Sequence, residues 1–149
     1  MRAKLVGVRA KLAADILTWA GSGLVVVSSV IHFHLWASEG YDNIPTIGPL
    51  FLMQAVVGWL LALGVSVFRR WPLVGLEAGF ALATAAGLII SVNVSLFGWK
   101  DTLSAPFAVL ALAVEFAATA VLLAASAILF WAWSRRHPRG ERLRCLLQD

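Results

Sequence analysis

The chain has 149 residues, a formal net charge of +4, 60% hydrophobic and 13% charged residues, and a mean hydropathy of +0.85. A soluble domain is roughly 45–50% apolar and about 25% charged, and one of ~150 residues buries only ~70% of its unfolded surface. This composition therefore excludes soluble enzyme folds, disordered tails and disulfide scaffolds, and requires a chain dissolved in lipid.

Four apolar stretches approach or exceed the ~20 residues needed to cross a bilayer. They run over about 12–36, 49–68, 72–97 and 105–133, and a basic tail occupies 134–149. The expected fold is an all-α polytopic membrane protein, a single four-transmembrane-helix domain over 1–149. Helix is the structure that satisfies its own backbone in lipid, and no strand-length alternation supports a barrel. Pro49, Pro72 and Pro106 fall in expected first turns, where a missing N–H costs nothing, and Ser104 suits an N-cap. The first stretch has a basic start, yet its apolar run exceeds that of a signal peptide and no small-x-small site follows, so it reads as an uncleaved span.

Basic residues set the orientation. Arg2, Lys4, Arg9 and Lys11 precede the first span, Arg69 and Arg70 separate the second and third, and Arg135, Arg136, Arg139, Arg142 and Arg144 follow the fourth. Eleven of the twelve Lys and Arg residues thus share one side, with Lys100 on the other. The positive-inside rule places both termini in the cytoplasm of a plasma (inner) membrane, multi-pass protein. The pI near 10.0 then reports topology rather than a nucleic-acid partner, and the Arg-rich tail is expected on anionic lipid headgroups. Trp36 and Trp99 fit an outer aromatic belt, and Trp71, Trp131 and Trp133 an inner one.

The single cysteine, Cys145, removes Cys-x-x-Cys redox chemistry and cysteine-based metal sites. No phosphate loop, Ser/His/Asp set or HExxH occurs. These absences favour a non-enzymatic protein.

An ionisable group within a span is expensive and is a functional hypothesis by default. Asp15 and Glu77 lie about one turn inside the basic boundary, and Glu115 lies near mid-membrane. Helical spacing puts Asp15, Thr18, Ser22, Ser29 and His32 on one face of the first helix. Glu77, Thr84, Gly87, Ser91 and Ser95 share a face of the third; Ser104, Ala108, Ala111, Glu115, Ala118 and Thr119 share one of the fourth; Gln54 and Gly58 sit together on the second. Small residues and hydroxyls pack membrane helices and bond between them. Gly75, Gly79, Ala83 and Gly87 form a ridge that admits a close neighbour. Asp15 is expected to pair with Lys11 or a nearby arginine, and Glu77 with Arg69 or Arg70. Glu115 needs a proton or a partner, either as a structural hydrogen-bonding group or as a proton, cation or partner site.

His32 and His34 sit near the opposite end. Two residues apart on a regular helix they diverge and cannot share one metal; if the helix frays they converge, with Glu39, Asp42 or Asn93 as further ligands. The segment 37–49 is apolar in its second half. It either folds over the mouth of the bundle, docks a partner, or begins the second helix early.

The block His34–Val56, HLWASEGYDNIPTIGPLFLMQAV, resembles one in small four-span membrane proteins of actinobacteria, and the four-helix layout is similar to that of DoxX-like proteins. The resemblance implies a four-span fold and supplies no substrate, cofactor or catalytic residue.

Three functional classes follow. The first is an accessory or assembly subunit of a membrane complex, with other membrane subunits or a second copy as partner. The second is a small proton- or cation-coupled transporter, with Glu115 at mid-membrane, His32, Gln54 and Asn93 toward one entrance and Asp15 and Glu77 toward the other. The third is a redox subunit with haem, a metal or quinone at His32 and His34.

Overall fold

The computed structural model describes residues 2–136, with side chains from residue 7 onward. The expectations for the basic tail beyond residue 136, for Cys145, and for the side chains of Arg2 and Lys4 lie outside the described residues.

The protein is an all-helical, multi-pass membrane protein. Four helices, α1 (Arg2–Ser38), α2 (Ile47–Val67), α3 (Trp71–Asn93) and α4 (Ala108–Arg136), are long and apolar enough to cross a bilayer. They run up and down, and α1 packs on both α2 and α4 while α3 packs mainly on α4. The α2–α3 seam is much looser. Asp15, Arg69, Trp71 and Phe130 meet at one end, here the basic end. The loops 39–46 and 94–107 gather at the other, the loop end.

The packing is inverted relative to a soluble bundle. Leu60, Leu63, Leu76, Leu82, Val109 and Leu123 point outward, while Ala55, Ala78, Ala85, Ala118 and Ala125 are buried. Bilayer solvates large apolar side chains as well as a protein core does, so the interior goes to small residues that let backbones approach. Two glycines mark the tightest crossings. A Cβ on Gly58 of α2 would collide with Ser29 of α1, and one on Gly21 of α1 would lie 2.5 Å from Leu122 Cγ of α4. The expected ridge on α3 behaves otherwise. A Cβ on Gly75 would lie 3.3 Å from Ser126 Oγ, but one on Gly79 or Gly87 would meet nothing within 4 Å. Within one chain the ridge has no close neighbour beyond its Gly75 end.

Pro49 and Pro72 do sit in first turns. Pro106 does not, because Phe107 takes a left-handed backbone (φ 61°) and α4 starts only at Ala108. Ser104 is accordingly no cap; its hydroxyl meets that of Thr102 at 3.0 Å. α3 stops at Asn93, short of the expected Phe97, so Ser95 is not on its face. Phe97 and Gly98 both have positive φ, and Leu96 and Trp99 exchange backbone hydrogen bonds of 2.7 and 2.9 Å around them. That is the two-residue reversal of a type I′ turn, and it turns Trp99 back toward the bundle.

Candidate functional site

Three polar stations lie along α1, and each draws a partner from elsewhere in the bundle, the first from the α2–α3 connection and the other two from α3 and α4. Near the basic end Asp15 pairs with Arg69 at 3.6 Å, an arginine whose guanidinium also lies 5.0 Å from the Trp19 ring. This is the arginine pairing expected for Asp15.

Glu77 differs from expectation. It is fully buried, and its partner is Ser22 of α1, whose hydroxyl donates to Oε2 at 2.8 Å. Oε1 has no hydrogen-bond partner. The side chain points into the bundle toward Ser22 of α1 and makes no ion pair with Arg69 or Arg70.

Deeper, Ser28 donates to Glu115 Oε1 at 2.9 Å. His32 sits one turn further along α1, with Nε2 3.9 Å from the same oxygen, an ion-pair separation longer than a hydrogen bond. His32 Nδ1 lies 2.9 Å from the Ser28 carbonyl. A carbonyl only accepts, so Nδ1 carries a hydrogen and Nε2 is the nitrogen presented to the carboxyl. One proton can therefore reside on Glu115 or on His32 Nε2 with the pair neutral overall in both cases. Glu115 Oε2 is buried without a partner.

Sequence spacing had pointed to Ser29 rather than Ser28. Ser29 instead donates to its own helix at the Val25 carbonyl, 2.9 Å away, as Thr18, Ser66 and Thr119 do at theirs. These four hydroxyls satisfy themselves within one helix, whereas Ser22 and Ser28 bond between helices. Ser126, which donates to the Trp71 carbonyl at 2.9 Å, is another that crosses.

The stations do not connect. Ser22 and Ser28 are six residues apart on α1, about 9 Å of rise. The space between holds a dry cluster of Val25, Val65, Ala78, Ala81, Ala118 and Leu122.

His32 and His34 diverge as a regular helix requires, since α1 continues unfrayed to Ser38. His34 points to the surface, 3.7 Å from Glu39, with Phe107 edge-on at 5.5 Å. Asn93 is exposed and donates to the Ile89 carbonyl at 2.7 Å, away from the histidines. Among the described residues no group of three or more His, Cys, Asp or Glu side chains is placed to hold a metal.

At the loop end the segment after α1 does two of the things open to it. A short 3-10 turn, Tyr41–Asn43, folds inward, and α2 begins early at Ile47. Tyr41 stacks on Phe51 at 4.7 Å and meets the Trp99 edge at 6.3 Å. Its phenol bonds to Asp101, and burial first, then the Asp101 charge, push the phenol's pKa above its usual range. Tyr41 is therefore a neutral donor at physiological pH. Asp101 is buried, and it also accepts the Thr102 N–H at 2.8 Å. Thr46, Ser95, Phe97 and Phe107 are non-glycine residues with positive φ, all at this end. Such strain persists only where the surroundings over-determine it.

Beneath this cap, between α2 and α3, lies a cavity of about 310 Å³. His32, Gln54, Thr84, Gly87, Trp99 and Asp101 are among its lining residues. Tyr41, Trp99 and Asp101 were invisible as site residues in the sequence; the one available signal was the single carboxylate of the 94–107 loop, beside Lys100. At the basic end a second hollow, about 660 Å³, is bordered by Lys11, Asp15, Arg69, Arg135 and Arg136.

No family model matches the chain, and no solved structure matches it. Over 67 residues it is 31% identical to NADH-quinone oxidoreductase subunit N 1 of Koribacter versatilis (strain Ellin345). The match covers 44% of this chain and 13% of that protein, so the chain spans a small fraction of its relative's length.

Proposed function

We propose that the chain is a membrane-embedded accessory subunit of a larger membrane complex, not a transporter acting alone. The observation that carries this is the 67-residue similarity to a protein named as a subunit of a membrane oxidoreductase. The interior agrees with it. A conduit needs polar groups or water along its length, and the dry cluster between Glu77 and Glu115 interrupts any such line. The outward face of α3 at Gly79, exposed and open to a close approach, suits a neighbouring helix of another subunit. The arginines around the basic-end hollow suit anionic headgroups.

The test is extraction in mild detergent followed by native electrophoresis. The chain is expected to migrate far above its 16.0 kDa mass with a fixed set of other membrane proteins. Repeated recovery as a lone bundle contradicts the proposal.

The Glu115–His32 geometry favours a second reading within the first, in which this pair exchanges a proton locally with the loop-end cavity. A proton- or cation-coupled transporter built on Glu115 would require the dry cluster to open.

A further inference from the structure

We infer that the cavity between α2 and α3 binds a neutral amphiphile with a hydroxyl head, entering sideways from the bilayer. The cavity volume, about 310 Å³, falls at the lower end of the range for small-molecule sites, which are mostly apolar with a few placed polar groups. The polar groups here are unmatched. Gln54 is only 7% exposed, and its Oε1 is buried without a hydrogen-bond partner. The Trp99 indole Nε1 is likewise buried and unpartnered. Both residues line the cavity. An orphaned buried acceptor or donor costs about 1–3 kcal/mol, and a native structure does not keep two beside one cavity without an occupant or a reason.

The two orphans specify the chemistry. A carbonyl side-chain oxygen needs a donor and an indole N–H needs an acceptor. A hydroxyl can supply either one; an ether or ester supplies only the second. Charge narrows the class further. No Lys or Arg lines the cavity, so an anionic headgroup has no counter-ion there. A cationic ammonium head carries no acceptor, so it would leave the Trp99 N–H unmet. Access is lateral. The α2–α3 seam is the loosest between chain-adjacent helices, and the lining includes Met53, 55% exposed on the lipid face. The apolar tail would leave along that seam, where Ala83 and Gly87 of α3 keep it clear. This site belongs to the isolated bundle and does not depend on membership of a complex.

Two hydroxyl-headed probes distinguish the sources of such a head, 1,2-dioctanoylglycerol for an aliphatic alcohol and 2-octylhydroquinone for a ring alcohol. Each is compared with its hydroxyl-capped form, the acetyl ester or the dimethyl ether, by native mass spectrometry of the purified protein. The expected result is that at least one uncapped probe binds about tenfold tighter than its capped form, the effect of one hydrogen-bonding group. Which uncapped probe binds better identifies the head, and either outcome supports the site. Q54L is expected to abolish the discrimination, and G87L to block binding by filling space, since a Cβ there meets nothing within 4 Å. Both variants should retain the thermal stability of the parent, which separates lost binding from lost folding. Equal binding of capped and uncapped probes, absence of binding by both pairs, or unchanged binding in G87L overturns the proposal.

Discussion

Gly58→Leu is expected to destabilise the bundle by at least 1–3 kcal/mol, the usual range for overpacking a close contact, and to lower the melting temperature of the detergent-solubilised protein accordingly. The reason is local. α1 and α2 cross with Gly58 against Ser29, and any Cβ on Gly58 overlaps the Ser29 hydroxyl, with Phe80 Cε1 a further 3.3 Å neighbour. Ser29 has little freedom to yield, because it is fully buried and its hydroxyl is committed to the Val25 carbonyl. Gly79→Leu is the control. It makes the same chemical change on a helix face where a Cβ meets nothing within 4 Å, and it should melt with the parent. Equal melting temperatures for the two variants would show that the α1–α2 crossing is not where the structure puts it.

The second large effect concerns Glu115. Ser28→Ala should cost about 1–3 kcal/mol, because it removes the hydroxyl that donates to a carboxyl otherwise buried beside His32. Adding Glu115→Leu to Ser28→Ala should restore much of that loss, since replacing both partners by apolar groups removes the unmet acceptor. Glu115→Leu alone is expected to be mild, as the freed Ser28 hydroxyl can turn to its own helix carbonyl as Ser29 does. A thermal-melt double-mutant cycle over the four proteins gives the coupling. If the double variant is less stable than Ser28→Ala by the full cost of a second deletion, Ser28 and Glu115 are not partners.

That pair also shows where sequence reading stops. Four spans, helix starts at Pro49 and Pro72, and an inward stripe on α1 were all legible, because hydrophobicity and proline constraints are local. Ser28 against Ser29 was not. The two residues lie 100° apart on a helix that touches neighbours on both sides, so Ser28 faces α4 and Ser29 faces α2. Periodicity alone cannot say which neighbour carries the carboxyl. Glu77 failed for a related reason. Its distance in sequence from Arg69 suggested an interfacial pair, but its rotation on α3 aims it at Ser22.

The loop end misled through apolar residues used outside a span. Val94 and Phe97 extend the hydrophobic run of α3, yet they are 76% and 67% exposed beyond its end, where lipid rather than a helix partner receives them. Pro106 marks a first turn only if the next residue is helical, and Phe107 is left-handed. Trp99 reads as a belt residue until the Phe97–Gly98 turn reverses the chain and sends its indole under the cap. These outcomes depend on how two loops pack on one another, which no local pattern encodes.

On the function proposed above, this bundle works within an assembly and is not a proton conduit of its own, because Val25, Ala78, Ala118 and Leu122 fill the space between its two buried carboxyls with packed apolar side chains. Proton flux through the purified chain in proteoliposomes, driven by an imposed pH gradient and potential, tests that most directly. The predicted result is a leak no greater than that of empty liposomes, unchanged by Glu115→Gln. A flux well above that background, abolished by Glu115→Gln in a protein that still folds, would contradict it.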